Sequence, residues 1–259
     1  MSRPRTLVLT GFGINCDYET EQAFEAAGSE AARMHVNDLI ESPERLEDFQ
    51  ILAVPGGFSF GDDIASGKVL ANKLRYRLGE SFLRFVDSDR LVLGICNGFQ
   101  VLVRLGVLPD GRVGMERQRA SLTYNDSGRF EDRWVSLETC ENSPCVFTRG
   151  LGRFDLPVRH GEGKFIVESP EALAGLEQNG QVVLRYVAPD GGPAEYPFNP
   201  NGSPADVAGV CDPSGRIFGL MPHPEAFVTR LQHPRWTSIE MPEEGAGLAV
   251  FRNAVEYFN

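Results

Sequence analysis

Leu91-Val92-Leu93-Gly94-Ile95-Cys96-Asn97-Gly98-Phe99-Gln100 decides how this chain is read. The apolar run from Leu91 has the length and composition of a buried strand, and the amphipathic run from about Phe99 to Leu105 has those of a helix. Between them stands Gly-x-Cys-x-Gly, the thiol form of the tight strand-to-helix elbow that exposes a nucleophile above a sheet. Glycines flank such an elbow because the turn crowds its neighbours and asks for backbone conformations that a Cβ penalises. The sulfur then sits at a helix N-terminus, whose free N–H groups and dipole favour an anion. The competing reading is a buried structural cysteine beside an ordinary glycine turn.

Upstream of the elbow, strand and helix patterns alternate. Thr6 to Thr10 reads as a strand, and Tyr18 to Ala27 as a helix capped by Asp17 and ended by Gly28. Ala31 to Val36 and Ile51 to Val54 read as further strands, with a short helix over Pro43 to Asp48 and helical patterns over Val69 to Leu78 and Glu80 to Val86. Such βα units imply a parallel sheet covered by helices, with its site at the carboxyl ends of the strands. After Gly106 the texture changes to strands separated by Gly, Pro and Asn: Arg133 to Thr139, Phe165 to Glu168 and Val182 to Val187. Val207 to Cys211 and Arg216 to Leu220 flank Asp212-Pro213-Ser214-Gly215, which predicts a hairpin. An amphipathic helix over Gly245 to Phe258 closes the chain. The expected fold is α/β, with a mostly parallel central sheet flanked by helices and an additional antiparallel portion in the second half. Neither a linker nor a repeat is visible, so residues 1–259 read as a single domain.

A second segment supplies what a cysteine nucleophile needs. Met221-Pro222-His223-Pro224-Glu225 follows the strand that ends near Leu220. A thiol wants an imidazole to take its proton, and the imidazole wants a carboxylate to fix its tautomer. His223 and Glu225 are two residues apart, so on extended backbone they point the same way, and the bracketing prolines stiffen that backbone. The tetrahedral oxyanion of such chemistry needs donors. The Asn97 N–H is offered by the elbow, and Gly56 or Gly57 offers backbone that can approach a ligand closely. Pro55-Gly56-Gly57 can equally be a plain strand-ending turn.

Composition sets bounds on the alternatives. Hydrophobic residues make up 42% of the 259 and charged ones 24%, ordinary globular material. A formal charge of −11 argues against a nucleic-acid surface, which wants a basic stripe. The five cysteines, Cys16, Cys96, Cys140, Cys145 and Cys211, contain no Cys-x-x-Cys pair, so neither a disulfide framework nor a metal site is suggested. Cys16 reads as structural, without an elbow or a nearby histidine. No run approaches the roughly 20 apolar residues of a membrane span, and the N-terminus lacks a signal-peptide pattern. A cytoplasmic protein is expected. No phosphate-binding loop is present, so no nucleotide cofactor is expected in this chain.

Gly-Ile-Cys-Asn-Gly-Phe-Gln with a distant His-x-Glu resembles the class I glutamine amidotransferases. Asn15-Cys16-Asp17, Gly56-Gly57-Phe58-Ser59-Phe60-Gly61-Asp62, Asn125-x-Ser127-x-Arg129-Phe130-x-x-Arg133-Trp134, Pro157-Val158-x-His160-Gly161-Glu162-Gly163 and Asn199-Pro200-Asn201-Gly202-Ser203 narrow it. Together they resemble the glutaminase subunits of phosphoribosylformylglycinamidine synthase, over about Leu7 to Phe258. That resemblance implies a flavodoxin-like fold and a triad of Cys96, His223 and Glu225. It implies hydrolysis of glutamine through a Cys96 thioester, with ammonia delivered to a separate synthetase. The synthetase would bind ATP and magnesium and convert formylglycinamide ribonucleotide to formylglycinamidine ribonucleotide in purine biosynthesis. A small bridging subunit is implied as well. Gln100 would hold the substrate, and His160 would contact either the substrate or a partner. A glutaminase serving another synthetase, or a non-enzymatic regulatory subunit of the same fold, are the alternatives. Asp63 to Val69 and Glu195 to Asp206 are left as segments of unassigned role.

Overall fold

The computed structural model describes residues 3–115 and 117–259. Its first half runs β1 (Arg5–Thr10), α1 (Asp17–Ala26), β2 (Glu30–His35), α2 (Val36–Glu41), β3 (Ile51–Val54), α3 (Lys68–Lys73), α4 (Gly79–Asp87), β4 (Leu91–Ile95) and α5 (Asn97–Leu105). The second half adds β5 (Ala120–Thr123), β6 (Glu131–Thr139), β7 (Arg153–His160), β8 (Lys164–Val167), α6 (Pro170–Gln178), β9 (Val182–Val187), β10 (Val207–Cys211), β11 (Ile217–Leu220) and α7 (Leu248–Glu256). Nine strands join in the order β2-β1-β3-β4-β11-β10-β9-β6-β7, while β5 and β8 form a separate antiparallel pair. The pairings from β2 to β11 are parallel and those from β11 to β7 antiparallel, so the two textures of the sequence are two halves of one sheet.

β3 and β4 are buried at every position, as strands covered on both faces must be. β11 lies beside β4 in parallel register, with Leu220 opposite Ile95. The ends of these two strands, far apart in sequence, therefore launch Cys96 and His223 from one rim. The hairpin between β10 and β11 forms at the expected turn. Both Asp212 carboxylate oxygens take backbone N–H groups there, from Ser214, Arg216 and Ile217, at 2.8–3.1 Å.

Several local expectations change. Helix α1 starts at Asp17, with Cys16 at the N-cap and no side-chain cap; Asp17 instead faces Arg33 at 3.4 Å. β5, β7, α2 and α6 are elements beyond those expected. β7 was obscured by Pro157, which removes a ladder donor. The strand lies at the edge of the sheet, where that loss is tolerated. Its carbonyls face the site instead: Pro157 accepts the His223 N–H at 2.9 Å.

Candidate active site

The elbow is built by close packing. Helix α5 is buried along nearly its whole length, and its first turn lies directly on β3. A Cβ on Gly98 would stand 1.8 Å from the Val54 carbonyl oxygen, and one on Gly94 would stand 2.8 Å from the Gly98 carbonyl. Neither glycine has the positive φ that the sequence reading allowed for; the strain falls on Cys96, at φ 49 and ψ −103. Such a conformation costs a non-glycine residue about 1–3 kcal/mol and is held only where the surroundings impose it.

The Cys96 thiol is 5% exposed and donates to the Arg159 carbonyl on β7 at 3.6 Å. His223 and Glu225, each 2% exposed, are joined by a 2.5 Å hydrogen bond between Nδ1 and Oε1. A carboxylate only accepts, so Nδ1 carries a proton, and when the ring is neutral its lone pair is on Nε2. That Nε2 is buried without a hydrogen-bond partner. Burial alone would lower the imidazole's proton affinity. The Glu225 carboxylate outweighs it, with smaller help from the Cys96 and Cys16 thiols, and holds His223 well above the usual histidine range.

Cys96 stands where two clefts meet. One of about 290 Å³ is lined by Asn15, Cys16, Glu19, Gly57, Phe58, Cys96, Phe130, Arg159 and His223. The other, about 200 Å³, adds Asp62, Gln100, Tyr124, His160 and Glu162. A larger groove of about 630 Å³, running from Asn37 to Arg77, contains none of these residues. The pairing of Ile14 with Gly57 fixes the first cleft's wall, with Phe58 N–H donating to Gly13 and Asn15 N–H to Gly56. Among the described residues the backbone N–H groups of Gly57 and Asn97 donate to no protein acceptor, which leaves them available for an anion.

Asn97 links this loop to the elbow. Its Oδ1 accepts the Ser59 N–H at 3.1 Å, and its Nδ2 donates to Asp62 at 3.1 Å and to Gln100 at 2.8 Å. Burial raises the Asp62 carboxyl above the usual range against the pull of the Gly67 N–H and the weaker pull of the Ser66 and Asn97 side chains. The Gln100 amide is engaged at both ends, since its Nε2 donates to the Glu162 carbonyl at 2.7 Å. His160 donates through Nδ1 to Asn125 at 3.1 Å and is kept neutral, lowered to about 3 by burial and by His223.

The reading of Cys16 needs correction. It has a histidine beside it: its Sγ, a ring nitrogen of His223 and a carboxylate oxygen of Glu225 lie within 4.8 Å of one another. Burial pushes its thiol up, opposed by the His223 ring. The sequence held one signal, Asn-Cys-Asp directly after β1, but nothing local tied it to residues two hundred positions away. Other motifs serve the fold. In Asn199 to Ser203, Asn201 bonds the buried Tyr186 hydroxyl at 3.1 Å and Ser203 accepts the Phe165 N–H at 3.0 Å. In the Arg129 to Trp134 motif the two aromatic residues part: Trp134 packs edge-on against Phe227 and His233, while Phe130 reaches the clefts.

Known proteins resemble this chain over its whole length. Residues 3–258 match the CobB/CobQ-like glutamine amidotransferase domain. The chain belongs to that family. It is 51% identical to phosphoribosylformylglycinamidine synthase subunit PurQ of Dehalococcoides mccartyi, over 99% of this chain and 98% of the relative. The PurQ of Methanococcus maripaludis strain S2 is 41% identical over 99% and 98%. Among solved structures it resembles a chain of PurLQS from Thermotoga maritima, with a TM-score of 0.74 and 30% identity over 100% of both chains. A glutamine amidotransferase from the same organism, at 16% identity and a TM-score of 0.55, shares the fold. No helix among the described residues of this glutamine amidotransferase is long and apolar enough to cross a membrane.

Proposed function

We propose that this chain is the glutaminase subunit of a phosphoribosylformylglycinamidine synthase, acting in the cytoplasm as one domain over residues 1–259. The observation that carries the reading is the 51% identity, over 99% of the chain, to a protein named as that subunit. A buried imidazole–carboxylate pair beside a strained cysteine supports it.

In this mechanism the Cys96 thiol turns from the Arg159 carbonyl toward the free Nε2 of His223. The imidazole takes the proton, and the sulfur attacks the carboxamide carbon of glutamine. Glu225 stabilises the imidazolium through Nδ1–H. The Asn97 and Gly57 N–H groups receive the oxyanion, each worth about 3–4 kcal/mol of barrier; Gly56 shapes the turn that presents them. His223 then protonates the departing ammonia, and water cleaves the thioester to glutamate. Gln100 and His160 act on the second cleft, Gln100 by bracing Asn97 and the Glu162 loop, and His160 as a neutral wall. The ammonia passes to a synthetase that holds ATP and magnesium and amidates formylglycinamide ribonucleotide, with a small third subunit bridging the two.

A glutaminase assay on wild type and Cys96→Ala, alone and with the synthetase, tests the reading. Activity should be abolished in Cys96→Ala, and the wild-type chain should co-purify with the synthetase. Glutamine hydrolysis persisting in Cys96→Ala would remove the nucleophile from the scheme.

A further inference from the structure

We propose that Cys16, His223 and Glu225 form a binding site for a thiophilic divalent cation of the zinc class, and that its occupancy disables the His223 base. The second clause rests on the reading of His223 as that base. The donor atoms of the three side chains already lie within 4.8 Å of one another. In a tetrahedral zinc centre, with Zn–N about 2.0–2.1 Å and Zn–S about 2.3 Å, neighbouring donors stand roughly 3.3–3.8 Å apart. Shifts of about 1 Å therefore close the set around an ion. A thiol, an imidazole and a carboxylate together suit zinc, whereas calcium and magnesium want oxygen donors throughout.

A second observation points to the same place. His223 Nε2 and Glu225 Oε2 are both buried without a hydrogen-bond partner, in side chains 2% exposed. Buried polar atoms are nearly always satisfied, so two orphans in one pair mark a position where something else binds. Glutamine hydrolysis engages Nε2 in passing and leaves Oε2 unused. The third donor is firmly held. The Cys16 N–H donates to the Gly56 carbonyl at 3.3 Å, and its own carbonyl accepts Thr20 N–H and Oγ1 at 3.1 and 2.6 Å. The cleft of about 290 Å³ over Cys16, Cys96 and His223 gives an ion its entry, with water or the Cys96 sulfur as fourth ligand.

The proton balance explains the inhibition. Binding turns the Cys16 thiol into a thiolate and releases its proton to solvent. If the ion takes Nε2, the lone pair needed by the Cys96 proton is gone. If it takes Nδ1, the ring's single proton moves from Nδ1 to Nε2 and the ring stays neutral. Either way no acceptor faces Cys96.

The test titrates the purified, chelator-stripped chain with zinc chloride against a chromophoric chelator, using wild type, Cys16→Ala, Cys16→Ser and, as a control far from the cleft, Cys140→Ala. Melting curves establish that each variant is folded, and glutaminase is assayed in parallel with the synthetase present. One zinc per chain is expected for wild type and Cys140→Ala. Loss of the Cys16 ligand should weaken binding by more than the about 10–100-fold that loss of an outer-shell partner costs. The zinc concentration that halves glutaminase should rise by the same factor in the folded Cys16 variant. Equal zinc affinity in wild type and the folded Cys16 variants, or no zinc bound by wild type, overturns the site. Zinc held through Cys16 with glutaminase undiminished overturns the inhibition. A chain that binds zinc through Cys16 but never hydrolyses glutamine keeps the site and removes the glutaminase reading instead.

Discussion

Replacing Gly56 by alanine should disable this protein while leaving it folded. The added Cβ would stand 2.7 Å from His223 Cε1 and 3.4 Å from both His223 Nδ1 and Cys16 Sγ. Carbon–carbon contacts settle at about 3.5–4.0 Å, so the ring must retreat by roughly 1 Å. It cannot do so freely, because Nδ1 is tied to Glu225 at 2.5 Å and the backbone N–H to Pro157 at 2.9 Å. Alanine's own backbone is not the obstacle, since Gly56 is not among the residues of positive φ. A displacement of about 1 Å at a reacting group can cost on the order of 100-fold in rate. Overpacking of this size costs about 1–3 kcal/mol of stability. The measurement is kcat for glutamine hydrolysis beside a thermal melt, with Gly152→Ala, whose Cβ meets nothing within 4 Å, as the control. A folded Gly56→Ala protein with kcat within about twofold of wild type would refute the argument. His223 would then not be the base, or its ring would not lie against this turn.

Four further outcomes are expected. Cys96→Gly should be more stable than Cys96→Ala by about 1–3 kcal/mol in urea unfolding, because glycine accepts φ 49 without strain; equal midpoints would deny the strain. Asn97→Ala strands the buried Ser59 N–H and should cost about 1–3 kcal/mol together with kcat. Asn97→Asp, which keeps that acceptor but turns a carboxylate oxygen on Asp62 and Gln100 in place of the amide donor, should recover neither; a wild-type urea midpoint and kcat in Asn97→Asp would deny the donor's role. Gly175→Ala, in α6 with open space around it, should stabilise by about 0.5–1 kcal/mol and leave glutaminase unchanged. His160 has a folded pKa of about 3, below its ordinary 6.5, so the unfolded chain takes up a proton first as the pH falls. Its contribution is intact above about pH 6.5 and is lost toward pH 3, on the order of 2 kcal/mol between pH 6 and 4. Because His223 shifts the opposite way, the readout is the difference between wild type and His160→Gln, and parallel stability curves would count against it.

Particular residues show how far the sequence reached. The buried strands β3 and β4 were legible because continuous apolar runs bounded by glycine have few other uses, and the β10–β11 turn because Asp-Pro-Ser-Gly is specific chemistry. β7 was not, because Pro157 reads as a strand breaker until the strand's edge position is known. The flanking glycines of the elbow were found for a partly mistaken reason. Crowding requires them, while the unusual dihedral belongs to Cys96.

The sequence by itself determined the residue types and the local turns: the Gly94–Gly98 elbow, the stiffened His223–Glu225 pair and the change of texture after Gly106. Only the tertiary structure decided which of these meet. β11 pairs in parallel with β4, which brings two distant strand ends to one rim. The loop after β1 folds over the same rim, so that Cys16, silent as a local pattern, stands against His223. Local propensity acts over a few residues, whereas the identity of a strand's neighbour depends on how the whole apolar surface is buried.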